Sequence, residues 1–223
     1  MKNYKTTPLL IFALAMSIFT QSCMVPSFSE IQSARMPVKK SVDLTPFYTA
    51  IPSLSTGSGA PIGQQHLGLQ SVFGISDKFA LCARMEYVST KTYFESSSWE
   101  PWFSSSLGPK FALKPRYVAM HLPLCFDFMD GEVGVSLKPT LILTYPGKNK
   151  HLDASLCLKA IIYGFSPDAM MFATNFNLAI GKNVESFAVR PEAGLLVMPG
   201  GSGPIYQFSI GITKNFKSKK NSN

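Results

Sequence analysis

Between Leu44 and Phe216 apolar residues fall at every second position over one short stretch after another, and clusters of Gly, Pro, Asn, Asp or Ser separate the stretches. Phe79, Leu81, Ala83, Met85 and Tyr87 alternate with Ala80, Cys82, Arg84 and Glu86, and Tyr206, Phe208, Ile210 and Ile212 alternate with Gln207, Ser209, Gly211 and Thr213. Successive side chains of a strand point to opposite faces, so this period builds strands with one apolar face and one small or polar face. No 3.6-residue pattern follows the N-terminal apolar run, and the body reads as all-β. The pattern predicts about ten strands, over 44–52, 64–76, 78–89, 109–115, 117–128, 132–145, 152–165, 168–181, 186–198 and 204–216. Most connections are short, as in an antiparallel up-and-down barrel; 90–108 is the long exception. With 46% hydrophobic and 15% charged residues, a disordered chain is excluded.

Alternation alone leaves the direction of the apolar face open. A soluble lipocalin-like barrel buries it, and an outer-membrane barrel shows it to lipid. Three features favour lipid and a transmembrane β-barrel. Several strands are long enough to cross a membrane at a tilt. The polar face is rich in Gly, Ser, Ala, Asn and Thr, as a crowded lumen requires, rather than in Lys and Glu. Phe73, Tyr87, Phe128, Tyr145, Tyr163 and Phe165 gather near strand ends, where amphipathic rings favour the membrane interface.

The N-terminus carries a different signal. Lys2 and Lys5 precede an apolar run from Pro8 to Phe19, too short to span a bilayer and the size of a signal-peptide core. The run ends in Thr20-Gln21-Ser22-Cys23, which resembles the lipobox of bacterial lipoproteins. That likeness implies cleavage before Cys23 and lipidation of the cysteine. The expected organisation is a lipoprotein signal over 1–22, a lipidated tether over 23–40, a barrel over 41–216 and a basic tail over 217–223. Cys82, Cys125 and Cys157 remain, an odd set spaced unlike any zinc motif, so they read as small buried residues with no metal.

The formal net charge of +8 suggests nucleic acid until it is located. Residues 41–216 hold 13 basic and 12 acidic side chains, so the body is close to neutral. The excess lies in Arg35, Lys39 and Lys40 before the body and Lys217, Lys219 and Lys220 after it. Basic flanks suit anionic headgroups or merely solvated tails; no basic face or recognition motif supports nucleic acid.

Short motifs add a resemblance. Met36 to Thr49, Phe73-Gly74-Ile75-Ser76-Asp77, Gly108-Pro109-Lys110-Phe111, Arg190-Pro191-Glu192-Ala193-Gly194-Leu195-Leu196 and Gln207-Phe208-Ser209-Ile210-Gly211 resemble Bacteroidota outer-membrane β-barrel proteins, many of which carry a lipoprotein signal. Ser209, Gly211 and Phe216 also resemble the terminal strand signal of outer-membrane proteins, with Lys214 where an aromatic is usual. The resemblance implies fold and location, with lipid anchoring at Cys23 and both termini periplasmic. It carries over no catalytic residue and no cofactor.

The candidate sites follow from the polar face. Arg84, Glu86, Lys138, Lys159, Arg190 and Glu192 are the charges expected in the lumen. Buried charges must be paired or wet, so they predict either a salt-bridged plug or a narrow selective channel for small solutes. His66, His121 and His151 lie in no recognised hydrolase signature, and the reading is non-enzymatic. The segment 90–108 holds Tyr93, Phe94, Trp99, Trp102 and Phe103. As a surface loop it would rest these rings at the interface or offer them to another envelope protein or glycan.

Overall fold

The computed structural model describes residues 28–55, 61–92, 99–129, 131–166, 170–199 and 203–217; from Ser41 onward their strands form one closed antiparallel sheet. The strands are β1 (Ser41–Ser55), β2 (Pro61–Ser76), β3 (Phe79–Thr92), β4 (Trp99–Lys114), β5 (Val118–His121), β6 (Leu124–Met129), β7 (Glu132–Leu137), β8 (Thr140–Pro146), β9 (Leu152–Tyr163), β10 (Met170–Asn183), β11 (Phe187–Val197) and β12 (Ile205–Lys217). The last strand returns to the first, with Ser41 opposite Lys217 and Ala50 opposite Phe208, so the sheet has no free edge.

Twelve hydrogen-bonded segments make ten barrel strands. β5 and β6 both pair with β4 as two halves of one strand, and β7 and β8 both pair with β9 as halves of the next. The breaks fall at Leu122-Pro123 and Lys138-Pro139, because proline has no N–H for a ladder. Neighbouring carbonyls bridge them: Leu122 N–H donates to Pro109 O at 3.0 Å, Lys138 N–H to Pro123 O at 3.1 Å and Ala160 N–H to Pro139 O at 3.0 Å.

The barrel is inside out relative to a soluble one. Leu67 and Phe208 are 64% and 58% exposed on the outer surface, whereas His66, Asn175, Asn177 and Gln207 are fully enclosed. That distribution overturns the lipocalin-like alternative and defines a transmembrane β-barrel, since an apolar exterior of this extent is stable only against lipid. No helix among the described residues is long and apolar enough to cross a membrane, and the strands perform the crossing. Tyr48, Phe73, Tyr87, Phe128, Tyr145, Tyr206 and Phe216 are exposed outward. Lys214 also faces outward, its ammonium 5.2 Å from the Phe216 ring centroid, a geometry that lets the long stem lie on apolar surface while the charge reaches the interface.

Three expectations are corrected. The long loop over 90–108 is largely strand: β3 continues to Thr92 and β4 begins at Trp99. Within it Trp102 points into the barrel and Phe103 lies beside Phe128, ring centroids 6.1 Å apart, while Tyr93 and Phe94 fall outside the described residues. Tyr163, expected in the outer aromatic belt, packs inward against the cluster around Phe28. Finally, the unpatterned stretch read as a tether is not external: Phe28 to Ala34 is buried throughout.

The two rims differ. Short connections at 77–78, 115–117, 147–151 and 184–186 close one; at the other lie the strand ends Ser55 and Pro61, Thr92 and Trp99, Tyr163 and Met170, and Val197 and Ile205, between which the sequence runs longer, beside Met129 and Glu132.

Candidate functional site

The lumen is filled by the chain itself. Phe28 packs with Ile51, Ile161, Ala173, Leu196 and Ile205, at the end of the barrel that carries the longer connections. From there the segment runs along the lumen to the short-turn rim, where Arg35 pairs with Asp153 at the start of β9 and Lys40 N–H donates to Gly74 O at 2.8 Å near the end of β2. Lys40 has a φ of 64°, and the chain reverses there into β1.

An extended segment inside a barrel has no ladder partner, yet its backbone groups need one. Wall side chains supply it. Lys159 Nζ donates to Phe28 O at 3.2 Å and Ser29 O at 3.0 Å, and Asn175 Nδ2 also reaches Phe28 O. Arg84 donates to Ser29 O at 3.1 Å, Asn177 to Glu30 O at 3.2 Å and Gln32 O at 3.1 Å, and Lys110 Nζ to Ser33 O at 2.6 Å and Arg35 O at 3.2 Å. In the other direction Glu30 N–H donates to both Glu192 carboxylate oxygens at 3.0 and 3.1 Å, and Ala34 N–H to Thr144 Oγ1 at 2.7 Å. Two glycines leave the space. A Cβ on Gly211 would lie 2.9 Å from Ile31 Cγ2, and one on Gly74 would lie 2.5 Å from Val38 O.

All six expected lumen charges face inward, but their partners are not simply one another. Lys159 pairs with Glu30 at 2.8 Å, and Arg84 pairs with Glu86 across 2.5 Å. Glu192 holds the Glu30 backbone and accepts from Gln207 Nε2 at 3.0 Å, while Arg190 Nε donates to Thr213 Oγ1 at 2.9 Å. Lys138 is enclosed close to Glu86 and Asp127. Sequence reasoning missed Glu30, the centre of the arrangement, whose carboxylate also meets His121 Nδ1 at 3.2 Å and Gln32 Nε2. The available signal was that Glu30 is the only acidic residue before Asp43 in an otherwise cationic tract.

Above the segment, Trp102 Nε1 donates to Thr90 Oγ1 at 3.2 Å and its ring meets His66 edge-on, centroids 6.4 Å apart. His66 Nδ1 lies 3.0 Å from Glu86. A cavity of about 30 Å³ remains between Glu30, Arg84, Glu86, His121, Lys138 and Lys159, room for one or two water molecules. Cys82, Cys125 and Cys157 are free and buried along the same wall. At the short-turn rim Glu185 receives Arg35 at 3.0 Å, Arg116 at 2.6 Å and Lys150 at 3.5 Å. Slight burial raises the Glu185 pKa, but the Arg116 hydrogen bond and the three cations outweigh it and hold the carboxyl below its ordinary value.

The fold is similar to solved outer-membrane barrels. An outer membrane channel from Pseudomonas putida F1 shares 9% identity over 86% of this chain and 100% of that chain, with a TM-score of 0.47. The N-terminal β-barrel domain of Pseudomonas aeruginosa OprF shares 10% over 80% of this chain and 98% of that chain, with a TM-score of 0.34. Ail, the attachment invasion locus protein of Yersinia pestis, shares 9% over 80% of this chain and 100% of that chain, with a TM-score of 0.37. No protein-family model matches the chain, and no curated protein is found similar to it.

Proposed function

We propose that this protein is a lipid-anchored outer-membrane β-barrel, of the Bacteroidota kind its motifs resemble, closed by its own N-terminal segment and serving a structural or interaction role. The observation that carries the closed reading is the continuous course of Phe28 to Arg35 through the lumen, with wall side chains bonded to its backbone. Such a barrel presents outer-membrane lipids with its apolar surface and leaves the rim of longer connections for a protein or glycan. A non-catalytic role fits the histidines, since His66 and His121 are enclosed and their Nδ1 atoms are engaged with Glu86 and Glu30. Purified full-length protein in planar bilayers should show no single-channel conductance.

A second reading has one observation in its favour. The wall carries Lys110, Lys138, Lys159, Arg84 and Arg190, so withdrawal of the segment would leave a polar, cation-rich tunnel. Steady conductance by the unmodified protein would replace the closed barrel with this narrow channel.

A further inference from the structure

The direction of the internal segment decides where the N-terminal anchor can sit. We infer that the chain preceding Phe28 leaves the barrel on the outer side of the membrane, so that the acyl anchor at Cys23 lies in the outer leaflet and not in the periplasmic one. The inference rests on the lipoprotein reading above, and it reverses the expectation that both termini share the periplasmic side.

The polarity comes from contacts at each end. Phe28 touches Leu196 near the end of β11 and Ile205, the first residue of β12. Arg35 meets Asp153, the second residue of β9, and Glu185 in the 184–186 turn. Between them, Asn175 bonds residue 28 and Asn177 bonds residues 30 and 32, so the segment descends β10 towards its short turn as its own numbering rises. Outer-membrane barrels carry their short turns on the periplasmic side and longer loops outside. The short-turn rim is the one where Lys217 pairs with Ser41, so the two ends of the described chain lie at opposite rims.

Reach completes the argument. Cys23 is five residues from Phe28. Five residues fully extended cover about 18 Å at most. The thirteen residues of β12, from Ile205 beside Phe28 to Lys217, rise about 30 Å along the membrane normal when tilted as barrel strands are. An anchor at residue 23 therefore falls short of the periplasmic leaflet, and the direct way back through the lumen is occupied by Ser29 to Arg35. The outer leaflet is within reach. The barrel must then close, β1 on β12, around a segment already lying in its lumen, because an acylated end cannot be drawn through the filled interior.

The test uses the full chain in cells. Val25→Cys is labelled with a membrane-impermeant maleimide on intact and on permeabilised cells; the native Cys82, Cys125 and Cys157 are buried and stay silent. Labelling of intact cells at the level seen after permeabilisation is the expected result, and labelling only after permeabilisation overturns the inference. An epitope inserted between Val25 and Pro26 gives the same reading with an antibody if the thiol is shielded: staining of intact cells supports the inference, and staining confined to permeabilised cells overturns it. A tag after Asn223 should be reached only in permeabilised cells; its exposure on intact cells means the barrel is inverted and overturns the inference. Palmitate incorporation into the parent chain separates the two claims. Without it the lipoprotein reading falls; with it, a periplasmic residue 25 sinks the outer-leaflet assignment alone.

Discussion

Glu30 Oε2 lies 2.8 Å from Lys159 Nζ, and this ion pair ties the segment inside the barrel to the middle of β9. Both side chains are 4% exposed, so neither can be rescued by bulk water when its partner is lost. Removing one member of such a pair leaves an uncompensated buried charge and costs about 3–5 kcal/mol. Glu30→Gln and Lys159→Met should each lower the urea midpoint of the folded barrel strongly. The double variant should lose less than the two singles added together, and equality with that sum would show that the pair is not coupled.

The space for the segment is as specific as its charges. Gly211→Val would drive a side chain into the position where Ile31 Cγ2 stands 2.9 Å away, an overpacking worth about 1–3 kcal/mol. Adding Ile31→Ala should recover part of that loss, the remainder staying with Thr45 Cγ2, which also stands 2.9 Å from the added Cβ. If Gly211→Val is as stable as the parent, Ile31 does not occupy this place.

The outer surface gives a test of the opposite face. Ile210 is half exposed on the middle of β12, flanked by Tyr48 and Pro191 across the sheet. Arginine there should cost about 2–4 kcal/mol at the bilayer midplane. Heat-modifiable folding at parental yield with Arg at 210 would contradict the lipid-facing assignment.

Most of the wall was readable because each strand separates lipid from lumen and the period of two records that separation residue by residue. The stretch 99–108 escaped because Ser104, Ser105 and Ser106 carry the same chemistry to both faces, and Trp102 and Phe103 carry aromatics to both, so no alternation marks the strand. The internal segment escaped for another reason. It is held largely through its backbone, by Lys159, Asn175, Asn177, Arg84 and Lys110, which leaves its own side chains no period to keep. Its trace in the sequence lay on the wall, in the inward-facing amides and ammoniums that bond its carbonyls. The arrangement of the six expected charges depended on that unseen partner.

The short-turn rim predicts a pH effect. The folded pKa of Glu185 lies below the unfolded carboxylate value of about 4.3, so its contribution is present above that pH and is lost as pH falls through the folded value. Its side chain is 35% exposed, and solvent keeps the effect modest. The parent should lose a small increment of thermal stability on acidification below about pH 4.3, and Glu185→Gln should lack that increment. An identical acid profile in the two proteins would show that the Glu185 ion pairs contribute no stability at the short-turn rim.

A disulfide between the segment and the wall tests the filled lumen most directly. With Ile31 Cγ2 2.9 Å from a Cβ at Gly211, the two Cβ atoms of Ile31→Cys/Gly211→Cys lie within about 4.4 Å, inside the range a disulfide requires. Protein isolated from membranes under oxidising conditions should carry the 31–211 crosslink, seen as a mobility shift reversed by reductant and absent from either single variant. Two free thiols at these positions in a correctly folded barrel would show that the N-terminal segment is not in the lumen, and the closed-barrel account would fail.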